Sequence, residues 1–145
     1  VGIGSSVPQA TLDVDGHTFF KTYSERVKYL DISANVVTVD LSEAQTFICT
    51  ATSDITQFTL TNAPIQATSF SIRVEQDSTG SRSVGIDTFK TTGGVDIPVY
   101  WPGNVVPQVT TTASRADIYS FKIFDGSNPT TSGLYGVVGG QNFQN

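Results

Sequence analysis

Phe70-Ser71-Ile72-Arg73-Val74-Glu75 decides the fold class of this chain, because apolar and polar side chains change places at every residue. A period of two puts Phe70, Ile72 and Val74 on one face of a half-buried strand and Ser71, Arg73 and Glu75 on the other. Asp77-Ser78-Thr79-Gly80 then reads as a turn, and residues 81–86 return with Val84 and Ile86 facing one way, which predicts a β-hairpin.

The same alternation recurs on both sides of this stretch. Val37, Val39 and Leu41 form one apolar row, Phe47 and Cys49 a second, and Phe58 and Leu60 a third, closed by the turn Asn62-Ala63-Pro64. Val99-Tyr100-Trp101 is a short strand stopped by Pro102-Gly103. Residues 118–124 carry Tyr119, Phe121 and Ile123 on one face and Ile118 and Phe124 on the other, as expected of a central strand. Asp125-Gly126-Ser127-Asn128-Pro129 turns the chain, residues 134–138 complete the sheet, and 139–145 read as a polar tail. Residues 87–98 read as a long connection with Thr91-Thr92-Gly93-Gly94 at its tip.

Helix signals are nearly absent. Residues 22–30 fit either one helical turn, with Tyr23, Val27 and Leu30 sharing a face, or an extended run. The expected fold is therefore all-β, an antiparallel β-sandwich of about eight strands over residues 35–145. Burying Phe58, Leu60, Phe70, Ile72, Val74, Phe121 and Ile123 contributes on the order of 1.5–3 kcal/mol each, ample gross driving force for that unit. Residues 1–34 have no comparable core, and their order is expected to come from partner chains. Within them Ala10, Leu12 and Val14 alternate with Thr11, Asp13 and Asp15, one narrow apolar stripe that ends at Asp15-Gly16.

Composition bounds the function. Only 14% of the residues are charged, while Thr and Ser number 20 and 15, so the polar surface is hydroxyl-rich rather than ionic. The net charge of −5 and the scattered positions of the basic residues exclude the footprint of a nucleic-acid binder. No apolar run is long enough to cross a bilayer, so no membrane insertion is expected. Cys49 is the only cysteine and reads as a small buried hydrophobe. The absence of methionine suggests that the chain is either processed or part of a longer polypeptide, the second being the preferred expectation.

Candidate chemistry is sparse. A Ser-His-Asp arrangement would have to use His17, the single histidine, in the segment least able to hold a fixed geometry. Asp13 and Asp15 share one side of a strand and read as a solvated face, although three copies around an axis could ring a cation. Asp125-Gly126-Ser127-Asn128 lacks the ligand count of a calcium loop. The glutamates are Glu25, Glu43 and Glu75, with no acid pair in an apolar setting of the kind a glycosidase needs. The chain reads as no enzyme, with no cofactor and no resident metal. Tyr100 and Trp101 are the one aromatic pair with loop character. Exposed, they offer apolar faces with polar edges for stacking on sugar rings or contacting another receptor; buried, they close one end of the sandwich.

Two stretches resemble known sequences. Gly2, Ile3, Gly4, Pro8, Ala10, Leu12, Asp13, Val14 and Gly16 match a motif, G-I-G-x-x-x-P-x-A-x-L-D-V-x-G, similar to one recurring in tail fibres and other fibrous proteins of tailed bacteriophages, near the end of a shaft. The succession Phe58-Thr59-Leu60-Thr61-Asn62-Ala63-Pro64, Tyr100-Trp101-Pro102-Gly103, Asp125-Gly126 and Leu134-Tyr135-Gly136 resembles a β-domain of phage structural proteins, with Leu134 where Trp is usual. These resemblances imply a virion structural protein on the particle surface: a homotrimeric tail-fibre-like component that attaches to the host, contacting other virion proteins and a host glycan or protein. The alternative they imply is a capsid decoration, collar or baseplate protein without host contact.

Overall fold

A computed structural model describes residues 1–8 and 10–144. The regular structure of the described residues is nearly all strand, with one α-helical turn, α1 (Pro129–Ser132), and one 3-10 turn at Pro102–Asn104. No helix among the described residues is long and apolar enough to cross a membrane. Among the described residues thirteen strands, rather than about eight, form three sheets. The first is a two-stranded parallel pair, β1 (Gly2–Ile3) with β2 (Asp13–Val14).

The other two sheets face each other. One has the order β10 (Asp96–Ile97), β9 (Phe89–Lys90), β7 (Gln57–Thr61), β5 (Val36–Asp40), β4 (Ile32–Ser33). The second runs β11 (Val99–Tyr100), β13 (Leu134–Gln144), β12 (Arg115–Ile123), β8 (Thr68–Gln76), β6 (Thr46–Ala51), β3 (Val27–Leu30).

The all-β expectation holds, but the sheets are mixed rather than purely antiparallel. From β3 to β9 the chain crosses between the layers after nearly every strand. Successive strands within a layer are thus parallel: β3, β6 and β8 in one, β5, β7 and β9 in the other. Antiparallel pairing closes the structure, with β12 between β8 and β13. Alternation reports which face of a strand is buried, not which strand lies beside it. Turns that read as hairpins are here crossovers.

Carboxylates organise those crossovers by accepting nearby N–H groups in place of ladder partners. Asp40 accepts the backbone N–H of Ser42 at 2.9 Å and the amide of Asn62 at 3.0 Å, tying two crossover loops together. Asp77 accepts the N–H groups of Thr79 and Gly80 at 3.0 and 2.8 Å and the Arg82 guanidinium at 3.0 Å. Gly80 sits at φ +67° with backbone of Ala113 2.6 Å from where a Cβ would be, a position only glycine fills. The expected hairpin over 70–86 does not form. Both edges of β8 are occupied by β6 and β12, and residues 81–86 instead cross over, bridging Val84 to Ile55 in parallel.

Three further expectations change. Residues 87–98 form a small hairpin, β9–β10, which sends Phe89 and Ile97 into the core. Residues 139–144 are strand, not tail, because β12 extends far enough to pair Ala116 with Phe143 and Arg115 with Gln144; Asn145 lies outside the described residues. Residues 27–33 pair with β6 and β5, so the two large sheets begin at Val27, inside the segment 1–34. This resolves 22–30 without a helix: 27–30 are strand.

The core is a layer of rings between the sheets. Phe58 and Phe89 stack at 5.2 Å from one sheet, Phe70 and Phe121 at 5.2 Å from the other. Phe89 joins the pairs, 5.1 Å from Phe121 and 6.4 Å from Phe70. Phe47 and Trp101 extend the layer, and Cys49 is fully buried in it, where desolvation pushes its thiol pKa up to about 12. Truncation of Phe89 to alanine is expected to cost about 3–5 kcal/mol, read as a lower urea midpoint at unchanged m-value.

Candidate functional site

Tyr100 and Trp101, adjacent in sequence, point to opposite faces of the six-stranded sheet, Tyr100 outward and Trp101 into the core. β11 runs parallel to β13 with Val99 opposite Leu134 and Tyr100 opposite Tyr135. Val99 therefore leans toward the core and Tyr100 outward. The chain then bends into the 3-10 turn, and Trp101 passes under β13 into the interior, where it is 7% exposed. Its ring packs edge-on against Tyr119 and Phe121 at 6.2 and 5.7 Å. A Cβ at position 136 would lie 2.6 Å from that ring, so glycine at Gly136 is what admits the indole. Trp101 is a packing anchor that closes one end of the sandwich.

Tyr100 keeps the surface role, with partners that the sequence reading did not single out. It is 45% exposed and lies 5.1 Å from Tyr135, which is 48% exposed. Tyr135 meets Phe124, 56% exposed, edge-on at 5.3 Å. The Lys122 ammonium stands 5.4 Å from the centre of the Phe124 ring. Register aligns Tyr100, Tyr135, Lys122 and Ser69 as one row across β11, β13, β12 and β8. Beside that row, Phe124, Tyr135, Lys122 and Val137 border a depression of about 290 Å³ on the outer face of the six-stranded sheet. Phe124 and Lys122 carried a signal, since both fall on the outward parity of β12.

The other candidate residues remain dispersed. His17 is exposed, outside any strand. Asp13 is half-buried and accepts a hydrogen bond from Ser5 Oγ at 3.1 Å, while Asp15 is exposed. Glu43 pairs with Lys28 at 3.0 Å and Glu75 with Arg73 at 2.7 Å, and Glu25 accepts from Thr46 Oγ1. Asp125 accepts the Ser127 hydroxyl and N–H and the Asn128 amide, which hold its pKa below the usual carboxylate range. Among the described residues no group of three or more His, Cys, Asp or Glu side chains converges to hold a metal ion.

The densest polar cluster is built around Asp117, which is 1% exposed. Its carboxylate accepts the backbone N–H groups of Thr110 at 2.7 Å and Asn142 at 2.8 Å, and the Tyr119 hydroxyl at 2.8 Å. The Gln141 amide reaches both the carboxylate and the Tyr119 hydroxyl, at 3.3 and 3.1 Å. Burial favours the protonated carboxyl, but the N–H groups of Thr110 and Asn142 outweigh it and lower the pKa. Burial and the adjacent carboxylate raise that of Tyr119. With its oxygens engaged by donors, Asp117 has the chemistry of a clamp: it fastens the loop before β12 and the far end of β13 to the sandwich.

A folded pKa below the unfolded value of about 3.9 means that this clamp stabilises fully above that pH and weakens as pH falls through the folded value. Asp117→Asn keeps one acceptor oxygen but sets an NH2 group against backbone donors. It is expected to cost on the order of 2–3 kcal/mol at neutral pH and to flatten the loss of stability below pH 4, measured by urea denaturation across pH. The chain matches no protein-family model, no curated protein and no solved structure.

Proposed function

We propose that this chain is a structural component of a tailed-phage virion, a trimeric fibre-like protein whose N-terminal segment is the assembly element and whose β-sandwich is the attachment head. The observation that carries this reading is the state of residues 1–26. Among the described residues of this segment the only strands are the two-residue β1 and β2, yet it exposes Val1, Ile3, Val7, Leu12, Phe19, Phe20 and Tyr23, with Phe19 94% exposed. A segment with that much apolar surface and so little internal pairing is stabilised by burial against other chains. Closed three-fold symmetry covers such a stripe with identical copies. The shaft motif at Gly2 to Gly16 supports the same reading, and the stiff sandwich with an aromatic outer face supports a binding rather than a catalytic role.

Light scattering on the purified chain at micromolar concentration is expected to give three times the mass of the 15.5 kDa chain. A shortened chain of residues 27–145 is expected to fold and run as a monomer. A monomeric full chain would overturn the trimer and favour a collar, baseplate or decoration protein that pairs with a different virion protein.

A further inference from the structure

The geometry points to a binding site for an anionic saccharide on the outer face of the six-stranded sheet, along Tyr100, Tyr135 and Lys122 with Phe124 beside them; it rests on the reading of the sandwich as an attachment head. Four features carry it. The rings form a contiguous aromatic cluster, Tyr100 tilted 44° to Tyr135 at 5.1 Å and Phe124 edge-on to Tyr135 at 5.3 Å. Their exposed faces supply apolar area and the phenol hydroxyls supply polar edges, the combination that a pyranose ring presents in return.

The cluster is also preorganised. A Cβ at position 133 would lie 2.4 Å from Tyr100 Cε2, so the backbone at Gly133 fits closely against that ring. Little side-chain freedom is then lost on binding. The row from Tyr100 to Ser69 crosses three inter-strand steps, about 14 Å, longer than a single sugar ring.

Charge selects among ligands of this shape. Lys122 forms no salt bridge among the described residues, and no carboxylate lines the depression. Nearby Asp125 is engaged by Ser127 and Asn128. An ammonium beside the rings repels a quaternary ammonium, which aromatic faces would otherwise attract, and welcomes a carboxylate. It also disfavours a second copy of the same patch, since two unpaired lysines would be desolvated against each other. Because the depression lies open on a sheet face, an alkyl chain would remain largely in water, whereas a sugar ring can stack on one face.

The test titrates the full chain with trisaccharides ending in galacturonate, glucuronate or sialate, and with galactotriose as the neutral comparison, following the ring resonances of Tyr100, Tyr135 and Phe124 by NMR. At least one acidic sugar is expected to shift these resonances and bind at least fivefold tighter than galactotriose, with the preference shrinking as salt rises. Lys122→Gln, an exposed and conservative change, is expected to remove the acidic preference, and Tyr135→Ala to abolish binding. No response to any acidic sugar, or equal affinity for the neutral one, overturns the site. Light scattering on the same samples separates the two readings. If the variants lose oligomeric mass, the patch is a contact between copies and the saccharide is excluded. If the mass stays threefold while sugars fail, the site falls and the assembly stands.

Discussion

Phe89 is the contact on which the two large sheets depend. It belongs to a strand of two residues, yet its ring touches Phe58 within its own sheet and both Phe70 and Phe121 across the interior. Everything that faces outward is positioned through this layer. Phe121 fixes the core face of β12 and therefore the outward face on which Lys122 and Ser120 stand. Trp101, wedged against Phe121 and Tyr119 beneath Gly136, fixes where β11 ends and so where Tyr100 emerges. The aromatic cluster outside is held in register by the aromatic layer inside.

At one end of the sandwich this apolar packing is complemented by ionic and polar closure. Asp117 occupies an inward position beside Tyr119, where burial alone would favour its neutral form. Backbone donors from two separate segments reverse that preference. The end of β13, nearly all of whose residues past Gly136 are exposed, is thereby fastened by its backbone and amide rather than by a core side chain. The connecting loops do the same on a smaller scale, with Asp40 and Asp77 gathering the donors of crossover turns and Asp125 those of the turn between β12 and β13.

The faces of the strands are legible in the sequence. Alternation at Val37/Val39, Phe47/Cys49, Phe58/Leu60, Phe70/Ile72/Val74 and Tyr119/Phe121/Ile123 names half of the buried side chains, including most of the large ones. Adjacency is not legible, because a period of two carries no information on which strand comes next to it or in which direction. Phe89 and Ile97 stay hidden for a related reason: strands of two residues among Thr and Gly are too short to alternate. At the candidate site, Tyr100 and Trp101 are readable as an aromatic pair in a loop, while which of them is exposed depends on strand parity and the bend at Pro102. Tyr135 joins Tyr100 only because β11 and β13 are neighbours, a matter of topology. Asp117 shares the inward parity of Tyr119 and Phe121, but the donors that satisfy it come from Thr110 and from Asn142, in what reads as a tail.

The alternation of the chain between layers has a kinetic consequence. From β6 to β8, no strand has its sequence neighbour as a ladder partner, so only the short β4–β5 and β9–β10 hairpins on either side offer a local start for zippering. Each parallel pair closes a loop that contains a strand of the opposite layer, and that entropy is lost before the ring layer rewards it. β8 gains its second partner only when β12, roughly forty residues further on, is available. Folding on this path is slow and late, completed by the C-terminal third of the chain. During synthesis the second edges of β7 and β8 wait for β9 and β12, strands that have not yet been made.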